Sequence, residues 1–397
     1  MITQSNQLFG SRQATLWLDG QACHGTVNEM SQGTDILIVG GGVIGLTAAY
    51  FLAREGVRVE VVDKGDFGRE ASWAGAGILP PGNPAHARTP FDQLRAHSAA
   101  LFPTLSADLR ERTGIDNGYL RSGGLEFIEQ SDHAGAQEWR GEGIVAEDLD
   151  EAAAARKEPA LAPGLGPAVF LPDMAQVRNP RHLKALLSAC SSFGVRFRPD
   201  CPVHGFERSG RRITGVTTGA GALRAERFLV TAGAWTSALL EPLGWKLGIR
   251  PVRGQIVLLQ TGTPLLRHIL LWGARYLVPR PDGRVLVGST EEEAGFAKRT
   301  TAQAICELLD LARTLVPALG GAHLERSWAG LRPGSPDGLP YLGAVPDLDN
   351  LVIAAGHFRA GIQLSTGTAL VLRELLLGEK PTVALDPFRI DRSSARA

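Results

Sequence analysis

The strongest hydrophobic signal in the chain is the unbroken run Ile36 to Val39, made of β-branched and aliphatic side chains. Without polar alternation it predicts a parallel strand buried on both faces. The run breaks into Gly40, Gly41 and Gly42, then resumes as a helix predicted to reach about Glu55, which Gly56 ends. Val57 to Val62 supplies a second strand, closed by Asp63. Strand, glycine turn, helix and strand read as one βαβ unit.

Further along, the pattern is mixed. Residues 91 to 155 read as helices and connections with charged faces, an insertion away from the nucleotide fold, with a strand at Leu125 to Ile128 after the Ser122-Gly-Gly turn. The alanine run Ala152 to Ala155 expresses helix propensity and carries no chemistry. From Val177 the α/β alternation returns: a helix from about Arg181 to Ser192, a strand at Val195 to Phe197, and two strands joined around Glu207-Arg-Ser-Gly210. An apolar strand from Phe228 breaks into Ala232 and Gly233. Gln255 to Leu259 reads as a strand, and Tyr276 to Pro279 with Val285 to Val287 as a hairpin over Pro281-Asp-Gly283. An amphipathic helix follows from about Thr300 to Leu315, stopped by Pro317. Leu351 to Ala355 is a further buried strand, leading through Gly356 and His357 into a helix that runs to about Leu377.

These elements predict two architectures in one chain: α/β, and α+β with antiparallel strands carrying helices on one face. The expected division is 1–33 as an extension, 34–90, 156–235 and 326–397 as a discontinuous nucleotide domain, and 91–155 with 236–325 as a substrate domain. Thr15 to Leu18 can add a short strand, and Met30-Ser-Gln-Gly reads as a natural translation start.

Composition narrows the function. Of 397 residues, 44% are hydrophobic, enough for a substantial core. Lys plus Arg equals Asp plus Glu at 41 each, without basic blocks, so nothing marks a nucleic-acid partner. The four cysteines, Cys23, Cys190, Cys201 and Cys306, lie far apart, which suits a reducing cytoplasm and argues against disulfides or a zinc site. Nine histidines form no metal-binding cluster. No apolar run approaches the ~18 residues of a membrane span, and the N-terminus lacks a signal-peptide core.

Candidate chemistry begins at the glycines. Gly40, Gly42 and Gly45 stand at the G-x-G-x-x-G spacing, allowing a tight turn, close approach of backbone to a pyrophosphate, and close helix–strand packing. Val43 and Ile44 open the helix, whose free N–H groups and positive dipole end suit phosphates. Asp63, at the second strand's end, can accept ribose hydroxyl hydrogens and argues against a 2′-phosphate, hence FAD or NAD. Lys64 follows it. From Glu70 comes Ala71-Ser-Trp-Ala-Gly-Ala76-Gly77-Ile78-Leu79, small residues that let backbone lie against something flat, with Ser72 able to reach a phosphate or ribitol oxygen. The Ser327-Trp-Ala-Gly-Leu-Arg-Pro-Gly334 stretch places Arg332 between an apolar segment and a rigid loop, where a fixed fork binds a carboxylate bidentately. By pattern alone Arg332 has the alternative of bridging two loops, and Tyr276 reads more readily as a packed strand aromatic.

The pairing of Gly40-Gly-Gly-Val-Ile-Gly45 with Glu70 to Leu79 resembles the D-amino-acid oxidase superfamily of FAD enzymes, and within it the glycine oxidases of thiamine biosynthesis. The similarity runs from about Asp35 to Arg392 and includes the Phe388-Arg-Ile-Asp-Arg392 tail. It implies a Rossmann-type FAD-binding domain and a mixed-sheet antiparallel substrate domain. It also implies Arg332 as the substrate-carboxylate ligand, Tyr276 as a substrate contact, and Arg359 either assisting substrate or pairing with loop carboxylates. For the cofactor it implies Val177 at the adenine end through its backbone, Gly233 under the cofactor, and His357, Phe358, Arg359, Ala360, Gly361, Ile362 and Gln363 at the flavin. There the helix N-terminus can stabilise negative charge on the reduced ring. Ala360 stands where the family usually has Asn, which removes one polar contact. No cysteine occurs in this C-terminal segment, so the expected FAD is non-covalent. The expected reaction is hydride transfer from glycine or another small amine to flavin N5, giving an imine and, with oxygen, hydrogen peroxide. The resemblance further implies a homo-oligomer and hand-off of the imine to thiazole synthase, while the cysteine usage and hydropathy lead to the expectation of a cytoplasmic protein without membrane attachment. Sarcosine, proline and D-amino acids are the alternative substrates, with a dehydrogenase as the alternative to an oxidase; a non-catalytic FAD-binding protein is the alternative of another class.

Overall fold

The structure is a computed structural model and describes residues 33–127 and 134–392. The expected strand at 15–18, the start at Met30 and the strand end at Ile128 lie outside them.

The strand Ile36–Val39 sits inside a six-stranded sheet, parallel to Val59–Val62 on one side and Arg227–Val230 on the other. Leu351–Ala355 extends the sheet in parallel, Tyr341–Ala344 closes that edge antiparallel, and Arg196–Arg198 closes the opposite edge. The continuous apolar pattern has its cause here, because both faces are covered. On one face pack the helices Val43–Arg54, Asn179–Ser192 and Gly361–Leu377. On the other, Leu37, Val39, Phe228, Val230 and Ile353 meet Ile213 and Val216 of a small antiparallel sheet.

One long helix departs from the sequence expectation. Pro90–Thr113, expected in an insertion away from the nucleotide fold, packs against Gly361–Leu377 through Leu94, Phe102, Leu105 and Leu109. Ser98 Oγ lies 2.7 Å from Thr366 Oγ1 and accepts from Gly367 N–H, and a Cβ on Gly367 would stand 2.4 Å from Leu94 O. This close crossing packs the helix onto the layer that covers the six-stranded sheet.

The second sheet has eight strands, in the order His323–Gly334, Arg250–Gln260, Arg284–Gly288, Arg275–Pro279, Ile269–Trp272, Gly124–Phe127, Ala168–Leu171 and Glu147–Leu149. All neighbours are antiparallel except Ile269–Trp272 with Gly124–Phe127. Ala168–Leu171 and most of His323–Gly334, assigned from sequence to the nucleotide segments, are held here by ladder hydrogen bonds. The helix Ala302–Leu315 covers one face, over Val257, Leu277 and Val287. The alternate residues Ile256, Tyr276, Val278 and Leu286 point to the opposite face, where Ala76 packs. That face is where the two sheets meet at the site.

Candidate cofactor and substrate site

At the end of Ile36–Val39 the backbone does the work. Gly40 has φ +111°, and a Cβ on it would fall 2.5 Å from Thr231 O. A Cβ on Gly45 would fall 2.0 Å from Gly40 O, so this glycine sets how closely helix meets strand. The helix begins at Gly42 without a side-chain cap of its own, and Ser72 Oγ accepts the Val43 N–H at 2.9 Å. Asp63 accepts Gly41 N–H at 2.7 Å and Gly65 N–H at 3.2 Å, while burial pushes its carboxyl above the usual range. Lys64 Nζ stands 3.3 Å from the Trp235 ring centroid.

Apart from Gly41, Gly45 and Gly65, these residues line a cavity of about 470 Å³, together with Ile44, Ala71, Gly233, Arg332, His357, Phe358, Arg359, Gly361 and Ile362. Gly45 lies behind the wall. Val177 is a correction: it lines neither cavity of the site, is fully buried, and its N–H donates to Gly77 O at 2.8 Å. The wall near Asp63 is instead formed by Cys201, Pro202, Val203 and His204, with Cys201 N–H donating to Asp63 O at 2.8 Å. The missed signal was the Cys201-Pro-Val203 turn into a strand, immediately after the sheet's edge strand.

A second cavity of about 250 Å³ shares Ala71, Arg332, Arg359 and Ile362 with the first and adds Ala76, Gly77, Ile78, Tyr276, Ala360 and Gln363. The helix Gly361–Leu377 starts here from Ala360, again without a side-chain cap. His357 is fully buried with Nε2 3.1 Å from Thr368 Oγ1, and burial lowers its pKa to about 4, so it is neutral at pH 7. Arg359 donates to Glu291 at 3.2 Å and to Ala274 O, which makes it a tie between loops at the cavity wall.

Arg332 stands opposite Val252 in the ladder. Its guanidinium donates to Thr290 O at 3.0 Å and Ser289 Oγ at 2.5 Å, with no carboxylate in ion-pair distance among the described residues. Burial pulls its pKa below the ordinary value, and the adjoining Tyr276 phenol acts in the opposite direction. Two glycines clear this space. A Cβ on Gly254 would lie 2.2 Å from Arg332 Nη1, and one on Gly288 would lie 2.7 Å from the Tyr276 ring.

FAD fits this set on the protein's own terms. Two helix starts lack a cap from their own N-cap residue and suit negative charge, Gly40 and Gly42 leave no side chain at the cavity wall, and Ala76 and Gly77 bring backbone to the inner cavity beside Arg332 and Tyr276. Among the described residues no group of His, Cys, Asp and Glu is placed to hold a metal, and no helix is long and apolar enough to cross a membrane.

Comparison with known proteins agrees. Residues 35–375 match the family described as FAD dependent oxidoreductase. The chain is 39% identical to a glycine oxidase of Pseudomonas putida over 89% of its own length and 97% of that protein's. It is 33% identical to the bifunctional protein ThiO/ThiG of Nostoc, covering 91% of this chain and 56% of that longer one. The crystal structure of glycine oxidase from Geobacillus kaustophilus superposes with a TM-score of 0.85 at 35% identity, over 90% of this chain and 98% of that one. With its glycine turn, two-sheet architecture and near full-length similarity, the chain belongs to the FAD-dependent oxidoreductase family and is an enzyme of that family.

Proposed function

We propose that the protein oxidises glycine, with other small amines as secondary substrates, and that Arg332 anchors the substrate carboxylate. The observation that carries this is a half-buried guanidinium on the wall of the inner cavity, donating to Thr290 O and Ser289 Oγ, with no carboxylate in ion-pair distance among the described residues. Such a charge is costly to bury unpaired, and an incoming carboxylate satisfies it. Tyr276, on the same sheet with two strands between and lining the same inner cavity, offers a phenol to the same carboxylate. Ser289 and Thr290 hold the guanidinium plane from behind, so the substrate enters a fixed fork. Bound FAD supplies the hydride acceptor at N5, which turns the amino acid into its imine and, with oxygen, gives hydrogen peroxide. The protein's part is orientation: Arg332 and Tyr276 fix one end of the substrate, and the Ala76–Ile78 backbone and the start of Gly361–Leu377 border the place where hydride leaves. No general base is assigned, because deprotonation of the ammonium can pass to water before the carbon reacts.

Similarity to the bifunctional ThiO/ThiG supports hand-off of the imine to thiazole synthase in thiamine biosynthesis; free imine hydrolyses to glyoxylate and ammonia. The resemblance to glycine oxidases supports a cytoplasmic homo-oligomer, which light scattering on the FAD-loaded protein checks. Anaerobic addition of glycine, sarcosine, D-alanine and D-proline tests the reaction. Bleaching of the flavin by glycine, reversed by air with peroxide release, is expected. Bleaching by D-proline or sarcosine alone would replace the substrate, and bleaching that only an added dye reverses would make the enzyme a dehydrogenase.

A further inference from the structure

Arg280 directly follows the strand Arg275–Pro279 that carries Tyr276, and it is a buried cation with no role in the site described so far. It is 4% exposed, its Nε has no partner, and no carboxylate lies in ion-pair distance of it among the described residues. The nearby Asp282 is occupied by Arg178 at 2.7 Å and Arg284 at 3.0 Å. Burial lowers the Arg280 pKa to about 9, which still leaves it protonated at neutral pH. A lone buried charge is unfavourable for folding, so its bonding deserves a functional explanation.

Nη1 donates to Gln176 Oε1, and Nη2 donates to Ala76 O at 2.7 Å. Gln176 is fixed in turn by donating to Ser122 Oγ at 3.0 Å. The Ala76 carbonyl belongs to a trans peptide, so the Gly77 N–H lies on the opposite edge of the same plane, directed away from Arg280. That N–H makes no hydrogen bond to another described residue, although the Gly77 carbonyl is taken by Val177. Ala76 and Gly77 both line the inner cavity. Gly77 is held at φ +75°, and a Cβ there would meet Val177 O at 2.1 Å, so the peptide's orientation is set tightly.

We propose that Arg280 is a positioning residue that tunes the flavin through the Ala76–Gly77 peptide. By drawing density from the Ala76 carbonyl it makes the Gly77 N–H a stronger donor toward the flavin ring, and it places an uncompensated positive charge behind that donor. Both effects favour the reduced ring, which is the more negative form, so Arg280 raises the reduction potential of bound FAD. The inference rests on the cofactor and not on which amine is oxidised.

The test uses FAD-loaded protein and no substrate. Two-electron potentials are read by reductive titration against a reference dye, and sulfite affinity provides a second measure of the ring's electron demand. Arg280→Met is expected to weaken sulfite binding at least tenfold and, separately, to lower the two-electron potential by about 30 mV or more, which is a tenfold change in the reduction equilibrium constant. Arg280→Lys keeps the charge and is expected to retain most of the wild-type value. Gln176→Glu leaves Arg280 in place but pairs it with a carboxylate, and is expected to shift both readings in the same direction as Arg280→Met; it carries the test if the methionine variant fails to load FAD. Unchanged potential and sulfite affinity in Gln176→Glu would overturn the proposal. So would equal losses in the lysine and methionine variants, since these would make Arg280 a structural strut only.

Discussion

The two ends of the site are built by different means. At the Gly40–Gly45 end the chain offers backbone: a left-handed glycine, an uncapped helix start, and Asp63 and Ser72 accepting main-chain N–H groups. At the inner end it offers side chains. Arg332 and Tyr276 come from separate strands of one sheet, Arg280 directly follows the strand of Tyr276, and the first two occupy room left by glycines on adjacent strands. A backbone site fails when a Cβ is added to the turn itself. A side-chain site can fail when a Cβ is added on a neighbouring strand that never meets the ligand.

Gly45→Val should break the first end most severely. Its side chain would enter the space between Gly40 O and Thr231 Oγ1, at 2.0 and 2.6 Å from the first atom alone. The expected outcome is loss of FAD, read as the flavin-to-protein ratio after gel filtration; full loading would show that helix and strand can part without harm to the turn. Gly254→Ala sharpens the contrast at the other end. The new methyl meets the tip of a long side chain, not backbone, so the fold and FAD loading should persist while the Arg332 fork is displaced. A fall in kcat/KM for glycine of about 10- to 100-fold, or about 1.4–2.8 kcal/mol, is expected; wild-type kinetics would mean the guanidinium has room elsewhere.

Asp63→Asn gives the smallest effect and separates stability from binding. Burial raises the Asp63 pKa in the folded protein, so the fold favours the protonated carboxyl. That contribution is present at acid pH and is lost as pH rises through the raised pKa. In the FAD-free protein Asp63→Asn should therefore have the higher Tm at neutral pH, with the gap closing toward acid, while its FAD affinity falls through loss of the ionised acceptor. A lower Tm at neutral pH would show that the carboxylate's bonds to Gly41 and Gly65 outweigh its burial.

The same contrast explains what was legible in the sequence. The glycine turn, Asp63 and Ser72 depend on short spacings, and the run Leu351–Ala355 and the helix end at Leu377 follow from local apolar pattern and the glycine after it. The hairpin of Tyr276 and the family-like placement of Arg332 were also within reach, because each sits in a distinctive segment. Gly254 and Gly288 were not, since their purpose exists only once Arg332 and Tyr276 are paired across the sheet. Arg280 was readable as part of the Tyr276 segment, but nothing in the spacing tells that its carbonyl partner is Ala76, some two hundred residues earlier. Pro90–Thr113 misled for a related reason. Its apolar residues are sparse and its core face includes Arg95, Ser98 and Ser106, so a helix buried against Gly361–Leu377 reads as a surface one. Val177 and Val203 are both apolar residues at strand edges, and only the sheet's closure around Asp63 distinguishes the one that lines the cavity.

The most direct measurement is the rate at which glycine bleaches the bound flavin without oxygen, in the wild type and in Arg332→Ala. Removing the proposed carboxylate anchor should lower the second-order rate constant by about 100- to 1,000-fold, equivalent to about 3–4 kcal/mol, with FAD still bound. A rate within threefold of the wild type would contradict the account, because the Arg332 guanidinium would then hold something other than the substrate.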